Sequence, residues 1–322
     1  RFACRAGRPP SRRLLALVTL LLLTGPAGAQ ALSTYHIGNS LTHGVVPVGV
    51  AAMAASAGID HRAGYHVRYN ASLDDIWLHP NDATATSVPG PFMNALANVA
   101  WDAIVLQPFP LDCDGNVVSD NELQRMQELI DLLRAGPSAE PTIYILMTWM
   151  CAARRDNQAA WTRVDTAEPY TPTMLNRQAF VWLRDNLQDH YGSNAHIYLV
   201  PVGDVLYELG NRFLAGEFPG FNGIEDLYAD RIHLTDDVGY WIAANVMYAT
   251  LFARDPTGLD QPEGFFGGPA STALSRAQDT QLQRAIWEIV SAHPHAGVAA
   301  ATADEPPAED PVAPTPPVEP PV

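Results

Sequence analysis

The sequence contains no lysine, and all 19 of its basic residues are arginine. We read this as biased codon usage, without functional content. Against these bases stand 35 acids, giving a formal net charge of −16 over 322 residues. So little positive charge leaves a surface that repels phosphate backbones and anionic membranes, and nucleic acid is not an expected partner. Charged residues make up only 17% and hydrophobic residues 47%, which allows a sizeable core and excludes global disorder. Long apolar runs are missing as well. The run at 14–23 is ten residues long, too short to cross ~30 Å of hydrocarbon as a helix. There is no H-E-x-x-H, EF-hand or P-loop pattern, so no metal and no nucleotide cofactor is expected. No internal repeat is visible.

The two ends of the chain differ in composition from the middle. Residues 1–13 carry five Arg and no acid, the apolar run follows, and Ala27-Gly28-Ala29 closes the segment. A basic stretch, a short apolar core and an A-x-A site together predict a signal peptide over residues 1–29, cut near Ala29. A secreted or periplasmic protein with no membrane span in the mature chain is therefore expected. Cys4 would leave with that segment, and only Cys113 and Cys151 remain. Each follows a predicted strand, at the same edge of one sheet, and an oxidising compartment predicts a disulfide between them. Two cysteines do not make a structural zinc site. Residues 297–322 are rich in Pro, Ala and acid and hold no aromatic residue, which predicts a disordered, extended tail. The folded domain is expected over residues 30–296.

Within it, short apolar runs at 32–37, 65–69, 103–106, 142–147 and 196–200 alternate with helix-like stretches. The helical stretches are 45–57, 88–99, 121–133, 173–190, 204–215, 238–252 and 273–292. Strands separated by helices predict an α/β fold: a flavodoxin-like doubly wound sheet of about five parallel strands with helices on both faces. Reactive groups in such folds lie beyond the carboxyl ends of the strands.

Two features there carry chemistry. The first strand runs into Gly38-Asn39-Ser40-Leu41, placing a Ser at a strand-to-helix turn where helix amides can face an oxyanion. Far downstream, Asp230-Arg231-Ile232-His233-Leu234 sets an Asp three residues before a His, just ahead of a helix whose first turn takes Asp236 and Asp237. A carboxylate so placed can hold one imidazole nitrogen and leave the other to take a proton from a Ser hydroxyl. Each block alone is common, since a Ser before a helix is often only a cap and a His among acids is ordinary surface.

Together, in the order Ser, Asp, His, the blocks resemble those of the SGNH/GDSL hydrolase superfamily, over residues 32 to about 253. That resemblance implies a flavodoxin-like fold and ester hydrolysis by acyl transfer. It implies Ser40 as nucleophile, His233 as base and then acid, and Asp230 as the group that orients His233. The family's oxyanion positions match less closely. Its Gly after the second strand is replaced here by Tyr69-Asn70-Ala71, so an amide of Asn70 or Ala71 would have to donate. Its Asn after the third strand corresponds to Gln107, one methylene longer. His43 is a second candidate base but has no nearby Asp, and His36 reads as a packed histidine. Trp77, within a polar loop after the second strand (Asp74 to His79), and Trp149 are candidate rim residues that can stack on a sugar ring. The expected substrate is a small-molecule or carbohydrate ester, with O-acetyl sugars as one class. The alternatives are an acyltransferase with the same triad, or a catalytically weak or silent binder of glycan or envelope material.

Overall fold

The computed structural model describes residues 31–45, 49–114, 116–151, 158–164, 175–261 and 274–298. The expected signal segment, and the proline-rich segment beyond Val298, lie outside these residues. Six strands form one sheet: β1 Leu32–Gly38, β2 His61–Val67, β3 Ala85–Thr86, β4 Ala103–Leu106, β5 Thr142–Leu146 and β6 Ile197–Val200. Their order is β3-β2-β1-β4-β5-β6, and every pair is parallel except β2 with β3. Without the two-residue edge strand β3, this is the 2-1-3-4-5 order of the flavodoxin-like fold. The helices among the described residues are α1 Ser40–His43, α2 Ala51–Ser56, α3 Leu73–Leu78, α4 Phe92–Asn98, α5 Glu122–Ala135, α6 Gln158–Trp161, α7 Arg177–Tyr191, α8 Val202–Leu214, α9 Gly239–Phe252 and α10 Arg276–Ala292. No described helix is long and apolar enough to cross a membrane.

Strands β4, β5 and β6 read as near-continuous apolar runs because both faces of the sheet are covered. Alternate residues go to opposite layers. Tyr35, Ile37, Ile104, Leu106, Ile143 and Ile145 pack in a cluster shared with α4, α5 and α7. Ala103, Val105, Tyr144 and Leu146 pack on the other side with α2, α8, α9 and α10. Helix α9 is buried over nearly its whole length, so it has no polar face to lose. At the end of the last described stretch Ala296 and Val298 are buried in that second cluster, and Gly297 lies on the Tyr198 ring.

Three details depart from the sequence reading. β2 begins at His61 and ends at Val67, because pairing with β1 starts at Leu32 opposite His61. Gly64 within it is a required residue: a Cβ there would stand 2.6 Å from the Tyr35 ring and 2.7 Å from Trp101. The stretch read as a polar loop after β2 is the helix α3, whose N-cap Ser72 accepts from Asp75 N–H. Lastly α9 begins at Gly239, so Asp236 and Asp237 precede it.

β1 also buries a histidine layer. Thr34 Oγ1 lies 2.8 Å from His36 Nε2 and 3.0 Å from His61 Nε2. Burial pushes His36 down to about 3, with His61 adding to the effect, and pushes His61 and His66 down to about 4. These rings are neutral when folded but take protons near pH 6.5 when unfolded. The unfolded chain therefore binds more protons between pH 6.5 and 4, and stability falls as pH drops through that window. Urea melts at pH 7 and pH 4.5 should differ by on the order of 5 kcal/mol. His36→Gln should shrink that difference.

Candidate active site

Because β1 pairs with β2 on one side and β4 on the other, the connections from β1 and β4 leave a crevice at the carboxyl edge of the sheet. The chain enters it through Gly38, where a Cβ would stand 2.2 Å from Thr42 Oγ1 and 2.6 Å from Gln107 Oε1. Only glycine lets this turn close. Asn39 caps α1: its side chain accepts from Leu41 N–H at 3.0 Å and donates to the Ala71 carbonyl at 3.1 Å. The cap thus fixes Ser40 at the first helical position and ties it to the segment after β2.

The second block is a closed loop. Tyr228 and Leu234 form an isolated antiparallel bridge, and Ala229 N–H donates to the His233 carbonyl. Within it Asp230 Oδ1 accepts from Ile232 N–H at 2.8 Å and from His233 N–H at 2.7 Å. Its other oxygen lies 2.7 Å from His233 Nδ1. Slight burial opposes the Asp230 charge, but the two backbone amides and the imidazole outweigh it and hold the carboxyl below the usual carboxylate range. An ionised Asp230 accepts a hydrogen bond from Nδ1–H, which leaves Nε2 as the acceptor. Nε2 stands 2.9 Å from Ser40 Oγ. Residues 193 positions apart are thus joined in one chain of hydrogen bonds, carboxylate to imidazole to hydroxyl.

Ser40 and His233 open on a cavity of about 420 Å³, whose walls include His43, Tyr69, Asn70, Phe109, Asp236 and Tyr240. Asn70 holds φ 55, a left-handed conformation that Asn tolerates better than most non-glycine residues. It lies in the Tyr69-Asn70-Ala71 segment that stands where the resemblance calls for Gly. Burial lowers the His43 pKa, so that ring is neutral, and its Nδ1 lies 2.6 Å from the Tyr69 hydroxyl, not from a carboxylate.

The chain matches no protein-family model and no curated protein. Among solved structures it is similar to a DUF4886 family protein from Bacteroides uniformis, at 15% identity and a TM-score of 0.55. That match covers 81% of this chain and 95% of the other. It also aligns with a member of the lipolytic G-D-S-L family from Veillonella parvula, at 15% identity and a TM-score of 0.43, over 67% of this chain and 95% of that one. A third is the salicylyl-acyltransferase SsfX3 from a tetracycline biosynthetic pathway, at 17% identity and a TM-score of 0.39, over 67% and 52%. At these identities the first likeness speaks for a shared fold alone.

Three sequence expectations change in the structure. Gln107 is not turned toward the cavity. It is 1% exposed, and its Oε1 accepts from Asn39 N–H and from the Thr42 hydroxyl, both at 2.9 Å. A backbone N–H can only donate, so oxygen must face it, and the amide nitrogen points to the Pro108 carbonyl at 3.5 Å. Gln107 braces the turn that carries Ser40. Trp149 is 1% exposed, so it is no rim residue: its Nε1 donates to the Ile232 carbonyl at 2.6 Å, supporting the His233 loop from below. Trp77 stacks on Phe92 at 5.9 Å, packed against the core, and is not part of the cavity wall. Conversely, Tyr240 and Phe109 line the cavity and carried no sequence signal. The Tyr240 ring covers Gly44, where a Cβ would meet it at 2.2 Å.

Cys113 and Cys151 form a disulfide, with Cα atoms 5.5 Å apart. It flanks the same loop: Cys113 Sγ lies 3.7 Å from the Arg231 carbonyl, Asp114 pairs with Arg231, and Tyr228 donates to the Met150 carbonyl at 2.7 Å.

The Gln107 geometry has a direct test. Gln107→Glu keeps the acceptor and removes the amide donor. Turnover by the folded variant should fall less than ~10-fold, whereas loss of an oxyanion donor would cost ~10²–10³. Activity per folded molecule, with the folded fraction measured by circular dichroism, separates the two.

Proposed function

We propose that this protein is an exported serine esterase that cleaves small acyl groups by acyl transfer. The observation that carries the proposal is the unbroken contact from Asp230 through His233 to Ser40 Oγ, at 2.7 and 2.9 Å, opening on the cavity. A protein that only bound its ligand would have no use for an oriented base against a hydroxyl.

Ser40 Oγ attacks the ester carbonyl while His233 Nε2 takes its proton. Asp230 holds the imidazole in the tautomer that can accept, and its charge offsets the imidazolium that forms. The oxyanion is received by the Ser40 N–H at the start of α1 and by amides of the Asn70–Ala71 segment. His233 then protonates the leaving alcohol, and water it activates releases the acyl group. Apolar and aromatic walls at Leu41, Tyr69, Phe109 and Tyr240 accept the ester, and Tyr69 offers an exposed ring to a sugar. O-acetylated carbohydrate is the substrate class we favour. The leader-like N-terminus and the disulfide support an extracellular or periplasmic site of action.

An acyltransferase would use the same groups, with a sugar or alcohol in place of water. The experiment is hydrolysis of p-nitrophenyl esters of increasing chain length, and of acetylated sugars, with and without an added alcohol. Release of free acid on short chains supports the esterase. Product found only on the added alcohol would favour transfer, and no turnover by folded protein would sink both.

A further inference from the structure

Glu122 opens α5 and is fully buried, yet no cation among the described residues pairs with it. Arg125, one turn on, is engaged by Asp74 and Glu128 instead. The Glu122 carboxylate accepts from Phe109 N–H at 2.8 Å, Leu73 N–H at 3.3 Å and Asp74 N–H at 3.4 Å. The Ser119 side chain is a fourth partner. Burial pushes the carboxyl up, and the three amides and Ser119 pull against that. Four neutral donors on one buried carboxylate fill its lone-pair sites, so the group is costly to bury but fully paired.

The donors come from two separate loops. Leu73 and Asp74 are the first residues of α3, directly after Asn70-Ala71-Ser72. Ser72 satisfies the third amide, that of Asp75, so Glu122 takes the two the cap leaves open. Phe109 follows Gln107-Pro108 in the connection after β4, and its ring lines the cavity. Gln107 and the Ala71 carbonyl both hold Asn39, the residue before Ser40. One carboxylate thus sets the spacing of the two loops that flank the nucleophile turn.

We propose that Glu122 is a positioning residue of the ester-cleaving site, holding the Asn70–Ala71 amides in line with Ser40 by clamping the loops after β2 and β4 together. This rests on the serine-esterase reading. Glu122 touches no substrate; it acts through the segment it holds.

Glu122→Gln keeps the side-chain volume but turns an NH₂ group toward N–H donors that need an acceptor. Glu122→Asp keeps the charge and falls one methylene short of spanning both loops. Both are made in the full chain and tested for p-nitrophenyl acetate turnover, thermal midpoint, and affinity for phenylboronic acid. The boronic acid bonds to Ser40 Oγ, giving a tetrahedral adduct whose oxygen occupies the oxyanion position. The expected result for Gln is a ~10–100-fold loss in kcat/KM, matched by a similar loss in boronate affinity, with KM within about threefold of wild type. Asp should recover part of both. A lowered thermal midpoint with boronate affinity unchanged would overturn the assignment, as would failure of both variants to fold, since Glu122 would then serve the fold alone. Absence of Ser40-dependent turnover in the wild type would instead overturn the esterase reading and this proposal with it.

Discussion

Ser40→Ala should lower ester turnover by ~10⁴-fold or more while leaving the fold intact. The hydroxyl's contact is to His233 Nε2, a ring whose side chain is 38% exposed, so its removal strands no deeply buried polar group. His233→Ala should cost about as much, and the double variant no more than either alone, because the two groups act as one unit. Asp230→Asn is more informative. Its carbonyl oxygen can still accept from the Ile232 and His233 amides, so the loop keeps its shape. The NH₂ would face Nδ1, however, and force the proton to Nε2, where it meets Ser40 Oγ. A loss of about 10⁴ is expected from that wrong tautomer alone. All three are read by p-nitrophenyl acetate hydrolysis beside circular dichroism. Ser40→Ala retaining more than about 1% of turnover would place the nucleophile elsewhere.

What the sequence made legible follows from physics that acts locally. Parallel strands buried on both faces are short apolar runs, and β4 reads as Ala103–Leu106 in sequence and structure alike. The two ends of the candidate triad were legible because each is a compact block whose geometry is set within a few residues. Asp230 bonds the amides of Ile232 and His233, and Asn39 caps the helix that Ser40 begins. Side chains whose role depends on a distant neighbour were not legible. Gln107 can donate or accept, and only the N–H of Asn39, 68 positions away, decides that it accepts. Trp149 looks like a stacking platform until its indole N–H is found bonded to the Ile232 carbonyl, 83 positions on. Glu122 reads as an ordinary acid in the first turn of a helix, and nothing nearby in sequence signals that Phe109, Leu73 and Asp74 bury it. The edge strand β3, at two residues, is too short to leave a pattern.

Removal of the disulfide should reveal how far the His233 loop depends on its neighbours. Cys113 and Cys151 close a loop spanning 38 positions, for which chain entropy alone gives about 4 kcal/mol of stability. In a domain of this size that is a fall of roughly 10 °C in thermal midpoint. The loss of activity should come earlier than the loss of fold. The bridge joins the residue next to Asp114, which pairs with Arg231, to the stretch that contacts the loop through Trp149 Nε1 and the Met150 carbonyl. The Asp114–Arg231 pair is largely exposed and screened by water, so it cannot hold the loop once the bridge is gone. The buried Trp149 bond would keep Ile232 near its place while the Arg231 side of the loop loosens. A shift of 1 Å at His233 Nε2 is enough to cost ~10²-fold, because proton transfer from Ser40 depends on that contact. Turnover and circular dichroism, followed together against temperature for the oxidised protein and for Cys113→Ser/Cys151→Ser, should coincide in the first and separate in the second. Coincident curves in both would mean that the disulfide steadies the whole domain and that Trp149, with the internal bonds of Asp230, suffices to hold the histidine.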